Sequence, residues 1–388
     1  MGYSILVVDD ELDLELLITQ KFRRQIRTKE FEFLFAHNGL EALKCLDDNC
    51  DITLILSDIN MPEMDGLTLL SKLIERNNPL LETVIVSAYG DMDNIRTAMN
   101  RGAFDFVTKP IDFNDLDITI NKTLEQIDKL KTALVEHDQL VSIQQDLNIA
   151  RTIQQSILPK VFPPFPERKD FDIFASMNAA KDVGGDFYDF FLIDDDRLGL
   201  VIADVSGKGI SAALFMAVSR TMLKSTALKG MQASQCVSYA NNLISEESVD
   251  CMFVTTFYGI LNTKTGELDY VNAGHNPPFI VSEDGAVKKV EMTGGVALGV
   301  IENFEFKSKQ IMLNPGDSLF LYTDGVTEAM DINSNQLTEK RLEDTLAKCR
   351  NTSVEETCHK VTDEIDRFVA DAEQSDDITI LSVKYNGQ

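Results

Sequence analysis

Short runs of branched and aromatic residues alternate with stretches of helical periodicity over the first third of the chain. SILVVDD, FEFLFA, LILSD, TVIVSA and FDFVTK read as strands, and the segments between them space apolar residues three and four apart. This strand–helix rhythm predicts an α/β domain over residues 1–122, with function at the carboxyl ends of a parallel sheet. The pattern then changes. From Phe113 to Leu158 there is no glycine or proline, and Leu116, Ile120, Leu124, Ile127, Leu130, Leu134 and Val141 recur at helical spacing. The last four approximate a heptad, with His137 and Gln144 at the intervening seam positions, and the stripe shifts register around Leu147, Ala150, Ile153 and Ile157. One reading packs this helix along its own domain. A parallel two-chain coiled coil over a linker of residues 123–160 suits so long a stripe better, and makes the protein a homodimer. LPKVFPPFP ends the helix.

Residues 161–388 mix strands (FDIFASM, LGLVIADV, MFVTTFYGILN, LDYVNAG, PPFIVSE, SLFLYTD, ITILSVKY) with helices near Ser211–Ser225, Ala233–Glu247, Glu339–Cys349 and Val354–Ala370. Hairpin-connected strands beside long helices predict an α+β sandwich of two mainly antiparallel sheets flanked by helices. The five strands of the N-terminal region suit a flavodoxin-like sheet.

Composition narrows the partners. With 63 acidic against 36 basic residues the net charge is −27, and no basic patch compensates, so nucleic acid is excluded as a partner. No run of eighteen apolar residues spans a membrane, and MGYSILVVDDE reads as a strand, not a leader, so a cytoplasmic location is expected. Cysteines 45, 50, 236, 251, 349 and 358 are scattered without a C-x-x-C pair, which argues against zinc or a disulfide framework.

The first candidate site lies at strand ends. Asp9 and Asp10 follow ILVV, Asp58 follows LILS, and Lys109 follows FVT. A parallel sheet brings these ends to one edge, where crowded carboxylates call for a hard divalent cation such as Mg²⁺. Lys109 and the Ser87 hydroxyl complete what a phosphoryl group needs, with Asp58 as nucleophile. The segments VVDDE, LSDINMPEMDG, VSA and TKP resemble response-regulator receiver domains over residues 1–122. That resemblance implies Asp58 as phosphoacceptor and Asp9, Asp10 and the Asn60 carbonyl as further Mg²⁺ ligands. It also implies phosphoryl contacts from Ser87 and Lys109, Phe106 as the switch aromatic, and a cognate histidine kinase.

The stretch KDVGGDFYDFF, Lys181–Phe191, poses a choice between a GGDEF-type cyclase and another metal site. A cyclase needs an acidic strand and a nucleotide helix well upstream and a glutamate at position 187, where Phe187 stands. The other reading gathers Asp186, Asp204 (ADVSGKG), Asp324 (YTDG) and the pair Asp376–Asp377 (SDDITIL) into one cleft that holds two Mg²⁺ or Mn²⁺ ions. Paired ions activate a water and clamp phosphoryl oxygens, which is phosphomonoester hydrolysis without a Cys or Ser nucleophile. DVGGDFYD, ADVSGKGISAALFM, NAGHNPP, LYTDGVTEA and SDDITIL resemble the metal-dependent protein phosphatases (PPM, protein-phosphatase-2C-like), in the branch of sporulation protein IIE. The resemblance implies Asp186, Asp204, Asp324 and Asp376 as catalytic metal ligands with the Val205 carbonyl. Which of Asp376 and Asp377 binds directly stays open, and His275 reads equally as a turn residue or a substrate contact. Gly184, Gly185, Gly207 and Gly209 are expected to permit tight turns near the ions, and ARTIQQSILP resembles the helix that orders the family's metal site.

Together these readings describe a response regulator whose receiver controls a serine/threonine phosphatase acting on a phosphorylated anti-sigma-factor antagonist of the STAS type. The alternative is a receiver-gated pseudophosphatase that binds partners without catalysis.

Overall fold

The computed structural model describes residues 2–49, 51–88, 91–248 and 251–387. Cys50 lies outside them; the other five cysteines are free. The chain divides into two compact units, 1–143 and 144–388.

The first unit runs β1 (Tyr3–Val8), α1 (Leu12–Lys21), α2 (Arg23–Arg27), β2 (Phe31–Ala36), α3 (Gly39–Asp48), β3 (Ile52–Asp58), α4 (Gly66–Glu75), β4 (Glu82–Ala88), α5 (Met92–Asn100) and β5 (Asp105–Lys109). It continues into α6 (Phe113–Ile157). The five strands form one parallel sheet in the order β2-β1-β3-β4-β5. Its central strands are apolar on both faces because both are covered. Ile5, Val7, Leu54, Leu56, Val84 and Val86 pack with Leu116, Ile120, Leu124 and Ile127 of α6, whereas Leu6, Val8 and Ile55 meet Ala42, Leu69 and Leu73 on the opposite face. Asn38 caps α3, accepting from the Leu40 and Glu41 amides, and Asp65 caps α4 through the Thr68 amide at 2.6 Å.

Along α6 the burial changes sharply. Ile127, a predicted seam residue, belongs to the core of the first unit, so the exposed stripe starts only beyond it. Leu134, Val135, Leu140, Val141, Ile143, Ile149 and Ile153 are exposed, and burial returns at Gln154 and Leu158.

The second unit comprises β6 (Phe171–Asn178), β7 (Phe187–Leu192), β8 (Arg197–Val205), α7 (Ile210–Ala227), α8 (Ala233–Glu247), β9 (Val254–Asn262), β10 (Glu267–Ala273), β11 (Phe279–Val281), β12 (Val287–Lys289), β13 (Lys309–Met312), β14 (Ser318–Tyr322), α9 (Asp324–Thr327), α10 (Glu339–Leu346), α11 (Val354–Val369) and β15 (Ile378–Tyr385). Two five-stranded sheets, β13-β10-β9-β8-β7 and β12-β11-β14-β15-β6, pair antiparallel throughout. Leu198, Leu200 and Ile202 of one sheet share a core with Leu319, Leu321, Leu381 and Val383 of the other, and Val237, Ala240 and Ile244 of α8 join it. Phe320, Tyr322 and Ile380 point the other way, onto Leu342 and Leu346 of α10 and Val361 and Ile365 of α11. A Ser353–Glu356 cap starts α11, the serine oxygen accepting the Glu356 amide at 3.0 Å.

Three strands escape the sequence reading: β7, β12 and β13. β7 is FYDFFL, the strand that follows the GGD turn, buried at five of its six positions, so it lacks the alternation that marks a half-exposed strand. Predicted helix α10 ends at Leu346, earlier than Cys349, since residues 347–349 fold into turns.

Candidate functional sites

At the carboxyl edge of the parallel sheet, Asp9, Asp10 and Asp58 each offer an oxygen, all within 4.8 Å of one another. Asp58 ends β3, and its Oδ1 accepts the amides of Ile59 and Asn60 at 2.6 and 3.3 Å. The Lys109 ammonium, at the end of β5, lies 2.7 Å from Asp58, 2.8 Å from Asp9 and 2.9 Å from Glu11. Burial opposes the Lys109 charge, but its bonds to Asp58, Asp9 and Glu11 outweigh that and hold its pKa above the ordinary lysine value. Burial raises the Asp9 carboxyl, although Lys109 and the Glu11 amide pull it back. Three oxygens, a shared ammonium and no sulfur or imidazole fit a hard oxygen-liganded cation such as Mg²⁺. Gly66 allows the β3–α4 turn to close against Asp58: a Cβ there would stand 2.1 Å from the Asp58 carbonyl oxygen. Ser87 is buried and donates weakly to Asp91 at 3.4 Å, as does the Asn60 side chain. Phe106 is half-buried against Ile85 and Ile95. Glu11 and Asp91 were missed; Glu11 adjoins the Asp pair, but an acid on a helix-entry turn gives no separate signal.

The second unit brings its predicted acids together from four segments. Asp186 precedes β7, Asp204 lies near the end of β8, Asp324 opens α9, and Asp376 and Asp377 lead into β15. Asp186 is 1% exposed; burial, then the charges of Asp204 and Asp377, holds its carboxyl well above the ordinary range. Asp204 is pushed up to about 7 by burial, then by Asp324, Asp376 and Asp377, with a bond to Asp186 acting the other way. Asp324 is raised by burial and by Asp376 and Glu328. Carboxylates that raise one another's pKa are acids that cannot all stay charged without added cations, and their oxygen-only chemistry fits Mg²⁺ or Mn²⁺. The Val205 carbonyl faces the same loop, since a Cβ on Gly185 would lie 2.8 Å from it.

Neighbouring groups separate Asp376 from Asp377. Both Asp377 oxygens are engaged by backbone: Oδ1 accepts Ala180 at 2.8 Å, and Oδ2 accepts Gly185 at 2.7 Å and Asp186 at 3.4 Å. Asp377 therefore moulds the GGD loop. Asp376 is more open and meets the Lys208 ammonium at 2.9 Å. Gly184 is required by close approach, because a Cβ would come 2.1 Å from Asp377 Oδ2, and not by a left-handed φ; Gly207 and Gly209, at φ +92° and +82°, do need one.

Two partners carry no acidic signal, although each stands in a quoted motif, Thr323 in LYTDGVTEA and Gln154 in ARTIQQSILP. The Thr323 hydroxyl donates to Asp186 Oδ2 at 2.7 Å. Gln154, near the end of α6 and 6% exposed, donates to the Gly184 carbonyl at 2.5 Å and accepts the Gly184 amide at 3.1 Å. His275 is buried: its amide donates to Asn272 Oδ1, the Asn272 side chain returns a bond to its carbonyl, and Nδ1 meets Thr255 at 3.0 Å. It stabilises a turn. Asp189, in β7, forms a buried pair with Arg220 at 2.7 Å and reaches Lys224 at 3.2 Å, tying β7 to α7.

Comparison with known proteins matches residues 5–121 to the response regulator receiver domain and residues 194–386 to the Stage II sporulation protein E (SpoIIE) family. Phosphoserine phosphatase RsbU of Bacillus subtilis is 32% identical over 259 residues, covering 65% of this chain and 75% of RsbU. Protein IcfG of Synechocystis sp. is 30% identical over 300 residues, 70% of this chain; the chain spans 46% of IcfG. The crystal structure of the RsbU and RsbW domains of a Mycobacterium tuberculosis protein aligns with TM-score 0.50 and 28% identity, covering 56% of this chain and 60% of that one. Among the described residues no helix is long and apolar enough to cross a membrane.

Proposed function

We propose, from the premise that this chain belongs to the SpoIIE phosphatase family and carries a response regulator receiver domain at its N-terminus, that it is a receiver-controlled, metal-dependent protein serine/threonine phosphatase. The observation that carries this reading is the convergence of Asp186, Asp204, Asp324 and Asp376 on one another, each from a different segment of the chain. Asp186, Asp204, Asp324, Asp376 and the Val205 carbonyl would hold two divalent cations, which supply charge neutralisation and an activated water for attack on phosphorus. The chain's part is to hold these oxygens rigid: Thr323 orients Asp186, and Asp377 shapes the GGD loop through three backbone amides. In the receiver, Asp58 is the phosphoacceptor, with Asp9, Asp10 and the Asn60 carbonyl around a Mg²⁺ and Lys109 beside the incoming phosphoryl oxygens. Ser87 closes on that group and Phe106 follows it.

RsbU is a phosphoserine phosphatase by name. By that likeness the substrate is a phosphoserine or phosphothreonine protein, an anti-sigma-factor antagonist of the STAS type, and the input a histidine kinase. The exposed heptad pair Leu134 and Val141 on α6 supports a parallel coiled-coil homodimer over residues 123–160, between a receiver at 1–122 and a phosphatase domain at 161–388. Gln154 supports coupling, since a shift of α6 would move Gly184 and with it Asp186. An adaptor without catalysis has no observation in its favour, because the ligand acids are all kept.

Hydrolysis of a phosphoserine antagonist protein with Mn²⁺ or Mg²⁺, with and without beryllofluoride, tests the reading. Turnover that requires Asp204 and responds to beryllofluoride through Asp58 supports it. Absence of turnover in either receiver state against several such substrates overturns it.

A further inference from the structure

Lys208 sits in the turn between β8 and α7, flanked by Gly207 and Gly209, around which a Cβ would meet nothing within 4 Å. Its ammonium reaches 2.9 Å from Asp376 Oδ2 and 2.6 Å from the Ser375 carbonyl. It also acts on Asp324, whose carboxyl it lowers. The cluster is graded in depth: Asp186 and Asp377 are buried, whereas the Asp376 and Lys208 side chains are 37% and 42% exposed. A phosphomonoester entering from solvent therefore meets the Asp376–Lys208 rim before it meets Asp186.

We propose that Lys208 is a substrate-phosphate contact, its ammonium resting on Asp376 and Ser375 until a phosphoryl group arrives at the rim. This rests on the reading of Asp376 and its partners as cation ligands. The physical argument is one of charge. A phosphoryl dianion approaching several carboxylates is repelled unless positive charge faces it, and a lysine is a compact point charge on a flexible stem that suits such a contact. A divalent cation held by Asp376 would supply the charge that Lys208 now offsets, leaving the ammonium free for a phosphoryl group, and the open Gly207–Gly209 turn gives the side chain room to move.

The test uses the full chain loaded with Mn²⁺ and inorganic phosphate as the probe, followed by calorimetry and by product inhibition of p-nitrophenyl phosphate hydrolysis. Lys208→Met is expected to weaken phosphate binding roughly tenfold and to raise KM by a similar factor, with kcat changed less and Mn²⁺ affinity not reduced. Lys208→Arg should restore most of the phosphate affinity. Unchanged phosphate affinity in Lys208→Met would overturn the proposal and leave Lys208 as a tether between two loops. Loss of Mn²⁺ affinity in step with phosphate would overturn it too, reducing Lys208 to a support for Asp376. Lys208-dependent phosphate binding in a wild-type chain that hydrolyses nothing would sustain this contact while removing the phosphatase reading.

Discussion

Gln154 pairs with both backbone polar groups of Gly184: the side-chain amide donates to the Gly184 carbonyl, and the side-chain oxygen accepts the Gly184 amide. One buried side chain thus ties the end of the 45-residue α6 to the loop that carries Asp186. Gln154→Ala leaves both backbone groups of Gly184 unpaired. The expected cost is about 1–3 kcal/mol in thermal or urea unfolding of the second unit. Because the loop also positions Asp186, proposed above as a cation ligand, Mn²⁺ affinity should fall about 10–100-fold. A Gln154→Ala protein with unchanged Mn²⁺ affinity, measured by calorimetry, would remove Gln154 from any route between α6 and the acids.

Asp189 and Arg220 form the second tie. Asp189 is raised by burial, and the charges of Arg220 and Lys224 bring it back. Asp189→Ala removes the counter-charge of a largely buried guanidinium, so about 3–5 kcal/mol should be lost in urea unfolding. Replacing Lys224, which is more exposed, by methionine should cost much less. Equal costs would mean that the pair is not the element that fixes β7 against α7.

Most of the receiver site can be read directly from the sequence. Parallel strands must end at one edge, so Asp9, Asp58 and Lys109 are forced together by their positions after ILVV, LILS and FVT. The acids of the second unit are legible for a similar reason, each standing beside a buried strand. What escapes is the layer behind them. Thr323 and Gln154 stand in LYTDGVTEA and ARTIQQSILP, whose resemblance marks the segments, but their individual contacts join distant parts of the chain and have no local pattern to announce them. β7 escapes because burial on both faces erases alternation. The Asp376–Asp377 ambiguity could be resolved only by seeing which carboxylate the backbone amides occupy.

The receiver predicts a charge dependence of its own. Lys109 is shared among Asp58, Asp9 and Glu11, so Lys109→Met leaves three carboxylates facing one another. Uptake of phosphoryl from a small donor such as acetyl phosphate, or of beryllofluoride, should fall by at least tenfold, while Glu11→Gln should lower it far less. Asp58→Ala should abolish uptake. Measured by mass change or fluorescence titration, unaltered uptake in Lys109→Met would exclude the ammonium from the phosphoryl site.

His275 predicts how stability depends on pH. Burial depresses its pKa from 6.5 to about 4, with a bond to the Tyr322 carbonyl acting the other way. The folded state therefore keeps a neutral imidazole where the unfolded chain already binds a proton. Stability from this group is complete above pH 6.5 and is lost as the pH falls toward 4, at most about 3 kcal/mol. Between pH 7 and 5 the loss should be about 2 kcal/mol. Other carboxylates titrate in the same window, so the comparison must be with His275→Gln, which cannot titrate. Urea unfolding at several pH values should show the wild-type curve falling more steeply than the variant's by that amount. Parallel curves would mean that the imidazole takes up its proton in the folded protein, and that the turn around Asn272 opens to water well above pH 4.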